Sequence, residues 1–275
     1  MSEPTRPTPV PLALAAPLTG PPDAPVLVLG NSMGTSAAVW DQQVAELSTS
    51  FRLVRYELPG HGASAAAPGP YTIADLGAGV LALLDSLEVA RAGYCGISLG
   101  GMVGMWLAAY APSRVAALGL VCTSAYLPPA EGWLSRAASV RMGGLATVSA
   151  AVISRWFTPA YAAAAPSVID EFRAGLERTD PEAYACCCEA IAGMDLRADL
   201  AAITAPALVI AGADDPATPP EHGAAIAARI EGACLDVIPG AAHLAAVSAP
   251  DAVTDALGAH LSAAAARDAT WRGGR

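Results

Sequence analysis

The residues most able to do chemistry in this chain are centred on Gly96-Ile97-Ser98-Leu99-Gly100, a G-x-S-x-G pentapeptide between an apolar run and a helix-like segment. In that pattern a strand turns sharply into a helix and lifts a serine hydroxyl out of the fold. The glycines let the two backbone limbs approach, and the serine occupies a strained turn. A serine hydroxyl is a weak nucleophile near neutral pH and needs an adjacent base, itself oriented by an acid. The implied chemistry is acyl transfer at Ser98, with base, acid and oxyanion donors to be found elsewhere in the chain.

The base must come from four histidines. His61, in Gly60-His61-Gly62, reads as a structural turn residue, and His222 and His260 fall in helix-like segments and read as surface groups. His243 differs: it follows a strand-like run and the flexible Pro239-Gly240-Ala241-Ala242 loop, just before the last helix. It is the expected base. The acid is sought in Gly212-Ala213-Asp214-Asp215-Pro216, again directly after a strand-like run. Asp215 is preferred because chains with such an elbow usually place the acid three residues beyond the strand-ending glycine, and Asp214 reads as a solvated or turn-capping neighbour. The other position for an acid, after the preceding core strand, reads Cys122-Thr123-Ser124 and holds no carboxylate. Oxyanion donors are expected from the backbone N–H of Leu99, at a helix N-terminus, and of Met33. The second lies in the loop Gly30-Asn31-Ser32-Met33-Gly34-Thr35. Counting back from Trp40 to the His-Gly-x pattern usual in chains with such an elbow reaches Met33, with Asn31 and Ser32 in place of His-Gly. The chain order Ser98, Asp215, His243 is the one expected for an elbow serine.

These points must be carried to one place by the elements between them. Short, continuous apolar runs at Val26–Leu29, Leu53–Tyr56, Ala92–Cys95, Val115–Cys122, Ala207–Ala211 and Cys234–Ile238 predict parallel strands covered on both faces. Helix-like stretches lie between them, at Ala37–Leu47, Ile73–Leu87, Leu99–Tyr110, Pro220–Ile230 and Ala249–Ala265. Such alternation predicts an α/β fold with a mostly parallel sheet and right-handed crossovers. It breaks between about Ser124 and Leu200, where aromatic, helix-like sequence suggests a cap over the strands' C-terminal edge, where ligands bind. The expected division is a core of residues 1–123 and 201–275 with a cap of 124–200. A weak first hairpin is expected within the first 20 residues and a frayed tail over Ala266–Arg275.

Composition narrows the partners. The 275 residues are 54% hydrophobic, much of it alanine, and carry a net charge of −10. That balance argues against a nucleic-acid backbone as ligand. No apolar run approaches the ~18 residues of a membrane span, and the polar, proline-rich start lacks the zones of a signal peptide, so a cytoplasmic setting is expected. The six cysteines show no C-x-x-C pair or zinc-like spacing. Cys95, Cys122 and Cys234 read as buried strand thiols, and Cys186, Cys187 and Cys188 as reduced helix packing.

Taken together, the chain resembles the 3-oxoadipate enol-lactone hydrolases of the α/β-hydrolase superfamily, over roughly residues 24 to 258. The matching stretches include the Asn31-Ser32-Met33-Gly34 loop with Trp40-Asp41, Gly60-His61-Gly62-Ala63-Ser64 and Gly69-Pro70-Tyr71-Thr72-Ile73. They continue through Cys95 to Gly104, Arg155-Trp156-Phe157-Thr158-Pro159, Met194-Asp195-Leu196-Arg197, Ala211 to Pro220, and Pro239 to Leu244. Two departures stand out. Tyr56-Glu57-Leu58-Pro59 replaces the Tyr-Asp-x-Arg usual in this family, and Val247-Ser248-Ala249-Pro250 lacks an acidic residue often seen there.

The resemblance implies an α/β-hydrolase fold with an inserted helical cap, and hydrolysis of a small anionic enol lactone from bacterial aromatic catabolism. No metal or organic cofactor is expected. The substrate carboxylate calls for a cation or a set of amide donors, and the cap offers Arg136, Arg141 and Arg155 near Trp133 and Trp156. Some relatives carry a further decarboxylase domain, and none is expected in this sequence. Other readings on the same scaffold are a carboxylesterase, a C–C bond hydrolase, a cofactor-free perhydrolase, or a receptor for a small lactone. Oligomeric state is not legible in the sequence.

Overall fold

The computed structural model describes residues 9, 10, 12–14 and 18–272. Seven strands form one sheet in the order β1-β3-β2-β4-β5-β6-β7. They are β1 (Ala13–Leu14), β2 (Val26–Gly30), β3 (Arg52–Glu57), β4 (Ala92–Ile97), β5 (Val115–Val121), β6 (Ala207–Gly212) and β7 (Cys234–Ile238). All pairings from β3 to β7 are parallel, and only β1 runs antiparallel, against β3. The central strands are buried along their whole length, which explains why they are continuous apolar runs rather than alternating ones.

The helices are α1 (Asp41–Leu47), α2 (Ile73–Ser86) and α3 (Leu99–Tyr110), then α4 (Ala130–Gly143), α5 (Ala146–Trp156), α6 (Pro159–Ala164), α7 (Pro166–Glu177) and α8 (Pro181–Ala192). After β6 come α9 (Pro220–Ala227), α10 (Ala245–Ser248), α11 (Pro250–Arg267) and α12 (Ala269–Arg272). Local chemistry starts several of them. Thr72 and Asp75 form a reciprocal capping box on α2, and Asp180 caps α8, with Pro181 as its first residue. The helices α4 to α8 are inserted between β5 and β6, in the stretch where strand–helix alternation breaks. Their stem is an antiparallel bridge between Tyr126 and Asp195, beside which the Leu196 N–H donates to Ala125 O at 2.9 Å.

Three expectations need correction. Among the described residues of the first segment no hairpin is seen: Ala13–Leu14 and Thr19 both pair with β3, and residues 1–8, 11 and 15–17 lie outside the described residues. The tail is not frayed as far as Arg272. Trp271 is buried, donates its indole N–H to Val26 O at 2.8 Å, and stacks on Phe51 with ring centroids 5.6 Å apart. Gly93 makes room for it, because a side chain there would run into the indole; residues 273–275 lie outside the described residues. Cys234 is exposed rather than buried, because β7 is the sheet's edge and has only one neighbouring strand. Cys95, Cys122, Cys186, Cys187 and Cys188 are buried as free thiols.

Candidate active site

Ser98 sits on the turn from β4 into α3 with φ 53° and ψ −113°, a left-handed backbone that costs a non-glycine residue on the order of 1–3 kcal/mol. Its surroundings hold it there. Its N–H donates to Val121 O at 3.0 Å, and its carbonyl accepts Met102 N–H at 3.0 Å and the Thr123 hydroxyl at 2.7 Å. A Cβ at Gly96 would collide with the Gly100 carbonyl carbon, and one at Gly100 would lie 2.6 Å from Gly30 O. Both glycines are therefore required by close backbone approach. Leu99 opens α3, so its N–H has no acceptor within the helix and points out of the turn.

Asp215, in the loop after β6, is buried and accepts four hydrogen bonds. Oδ1 takes the N–H groups of Ala217 (2.7 Å) and Thr218 (3.1 Å); Oδ2 takes the Thr218 hydroxyl (2.7 Å) and Nδ1 of His243 (2.8 Å). Burial alone would raise this carboxyl, but His243 and the Thr218 donors outweigh it and hold Asp215 at about 2. An ionised carboxylate only accepts, so Nδ1 of His243 donates to Asp215, and Nε2 is the ring nitrogen left to act as a base. Asp214 shares none of these bonds; its own N–H donates to Ala241 O at 2.9 Å.

The loop from Gly30 to Trp40 is braced from several sides. Asn31 donates to Thr35 O, the Thr35 hydroxyl donates to Ser32 O at 2.8 Å, and the Trp40 indole donates to Gly30 O at 3.1 Å. The Gly34 N–H donates to Nε2 of His61 at 2.9 Å, while Nδ1 of His61 meets Pro59 O at 2.8 Å. Burial pushes His61 down to about 4, which keeps Nε2 available as an acceptor. His61 is thus a structural residue of a turn, as its glycine setting implies, and one that touches the loop bearing Met33. Glu57 is also buried. Its two carboxylate oxygens accept the Ala37 N–H at 3.1 and 3.2 Å, and burial raises it to about 7.

Ser98, His243 and Met33 line one cavity of about 410 Å³ beneath the inserted helices. Trp133, Arg136 and Trp156 line it too, as does Arg155. The Arg136 guanidinium lies over the Trp133 ring, 4.6 Å from its centroid. Arg141, expected with them, is elsewhere. It forks onto Glu182 at 2.7 and 2.8 Å and pairs with Glu189, tying α4 to α8, and it does not line the cavity. Thr218 and Tyr184 are among the cavity residues to which sequence reasoning assigned no site role. Thr218 follows Asp215 by three residues, a spacing at which a hydroxyl reaches back to a carboxylate, and that was its available signal. Tyr184 lies mid-helix in α8 and had no such signal. Among the described residues, no group of three or more His, Cys, Asp or Glu side chains is placed to hold a metal ion, and no helix is long and apolar enough to cross a membrane.

Comparison with known proteins adds to this geometry. The α/β-hydrolase fold profile matches residues 25–250. The chain is 39% identical over 238 residues to 3-oxoadipate enol-lactonase 2 of Acinetobacter baylyi, covering 86% of this chain and 89% of that one. It is similar to the crystal structure of the enol-lactonase from Burkholderia xenovorans LB400, with 40% identity and a TM-score of 0.88 over 91% of this chain and 96% of that one. A hydrolase from Pseudomonas aeruginosa is 46% identical, with a TM-score of 0.86 over 89% and 92% of the two chains.

Proposed function

We propose a reaction for this chain on the premise that it belongs to the α/β-hydrolase family, as a close homologue of the 3-oxoadipate enol-lactonases. It is an esterase- or lactonase-type hydrolase, and the substrate proposed is 3-oxoadipate enol-lactone, a five-membered ring bearing an acetate arm. One observation carries the choice of an anionic substrate. Arg136 and Arg155 line the cavity that holds Ser98 and His243, and neither has a carboxylate partner among the described residues. A guanidinium without a counter-ion beside an apolar wall suits a small molecule that brings its own carboxylate.

In this reading Nε2 of His243 takes the Ser98 proton as Oγ attacks the ring carbonyl, and Asp215 stabilises the imidazolium. The oxyanion rests on the N–H groups of Met33 and Leu99. Collapse breaks the ring C–O bond and expels an enolate, which takes the proton from His243 and tautomerises to a ketone. Water, deprotonated by His243, then clears the acyl-enzyme and leaves 3-oxoadipate. Residues 124–200 act as a cap that keeps bulk water from the ester, and the setting proposed is cytoplasmic.

The test supplies the enol lactone to the purified protein and follows its loss by ultraviolet absorbance, with Ser98→Ala beside it. Turnover that vanishes in Ser98→Ala is expected. Brisk hydrolysis of simple aryl esters with no opening of the lactone would overturn the substrate.

A further inference from the structure

Tyr184 is fully buried, and its phenolic O–H has no acceptor among the described residues, its oxygen standing beside the Arg136 guanidinium. Buried hydroxyls are normally satisfied, so an orphan of this kind needs a reason. Its position supplies one. Tyr184 lines the same cavity as Ser98, His243 and Arg136. Its ring edge rests against the loop that carries Met33: a Cβ at Gly34 would lie 3.2 Å from Tyr184 Cε2. The start of α8 is anchored as well, because the Asp180 N–H donates to Gly60 O at 2.9 Å and its side chain accepts the Ala183 N–H at 2.9 Å. Burial raises the phenol above its ordinary value, with nearby Arg136 pulling the other way, so Tyr184 remains a neutral O–H donor.

The geometry points to Tyr184 and Arg136 as the two halves of one carboxylate subsite, the phenol donating to one oxygen and the guanidinium to the other. The inference rests on the reading above, since it names what receives the acetate arm. Tyr184 is then a specificity-determining residue: its hydroxyl costs folding something when the cavity holds no anion and is satisfied when a carboxylate arrives. A neutral ligand leaves it unpaired, which discriminates against esters and lactones without the acid.

The test compares two lactones with the same ring, one carrying carboxymethyl and the other methyl, in the wild type, Tyr184→Phe and Arg136→Gln. The ratio of kcat/KM values, acid over methyl, is expected to fall about ten- to hundredfold in Tyr184→Phe, chiefly through KM, because a hydrogen bond to a charged group is lost. The Tm of that variant is expected to equal or exceed the parent's, which a structural hydroxyl would not allow. The double variant is expected to lose less than the product of the single losses, because both groups hold one anion. An unaltered ratio in Tyr184→Phe overturns the subsite, and so does an equal loss on both lactones with a lowered Tm.

A second measurement separates this inference from the substrate proposal. Adipate is used to inhibit hydrolysis of 4-nitrophenyl acetate. If the parent opens neither lactone, the substrate proposal fails, yet a tenfold or greater weakening of adipate inhibition in Tyr184→Phe upholds the subsite. Adipate inhibition that is absent, or equal in both proteins, overturns it.

Discussion

The Gly34 backbone N–H donates to Nε2 of His61 across 2.9 Å, a bond that exists only while the imidazole is neutral. Three residues on, the Ala37 N–H is held by Glu57. One loop, carrying the proposed oxyanion donor Met33, is therefore fastened by two buried titratable groups whose burial acts in opposite directions. His61 is pushed down from 6.5 to about 4 and Glu57 up from 4.5 to about 7.

Opposed shifts predict opposed pH dependences. The folded state binds fewer protons at His61 than the unfolded chain does between about 4 and 6.5, so that contribution is full above 6.5 and lost as pH falls to 4. For Glu57 the folded state binds more, so its contribution is full below 4.5 and lost as pH rises to about 7. The two offset each other in the parent. In Glu57→Gln, urea denaturation is expected to show stability falling on acidification from 6.5 to 4, by at most about 3 kcal/mol. In His61→Gln it is expected to rise as pH drops from 7 to 4.5. Flat profiles in both variants would refute the opposition. Asp215, held at about 2, acts in a separate window: it adds stability above 3.8 that is lost as pH falls toward 2.

The Thr218 hydroxyl donates to the same Asp215 oxygen that receives Nδ1 of His243. Thr218→Val keeps the shape and both backbone N–H donors but removes this bond. A loss of about 1 kcal/mol, or five- to tenfold in kcat, is expected. The acid limb of the pH–rate profile should move as Asp215 becomes less acidic. A variant with parental kcat and profile would deny Thr218 any positioning role.

Arg141 and Arg136 lie on one helix and face different tasks. Arg141→Gln removes the ion pairs to Glu182 and Glu189, whose partly exposed geometry limits the cost to about 1 kcal/mol. KM for the anionic lactone is expected to stay within twofold. Arg136→Gln is expected to raise that KM at least tenfold. Steady-state kinetics on both variants checks the contrast, and the reverse pattern would return Arg141 to the site.

Trp271 packs its whole indole against Phe51 and the backbone of β2 and β4. Trp271→Ala should cost about 3–5 kcal/mol, read as a lowered midpoint in chemical denaturation. A loss below about 1 kcal/mol would mean that the last helix contributes little to the core.

The sequence by itself determined the parallel sheet and the strained elbow. Continuous apolar runs have one stable use, as strands covered on both faces, and the small residues around Ser98 answer backbone clashes that are local. It also offered Ser98, Asp215, His243 and Met33 as candidates, because each stands just after a strand and a parallel sheet delivers all such points to one edge. Beyond that reach lay the partners of the cap. Arg136 and Arg141 are five residues apart on α4 with the same side chain, and only the packing of α4 on α8 turns one toward Glu182 and Glu189 and the other toward the cavity. Tyr184 is one of several residues on a buried helix, and its unsatisfied hydroxyl exists only where α8 meets the Gly34 loop. The tail was misread for the same reason: Trp271 is anchored by a carbonyl 245 residues away, and a contact of that separation leaves no local pattern. Periodicity and turn chemistry are local and legible, whereas which side chain loses its partner is decided when distant elements dock.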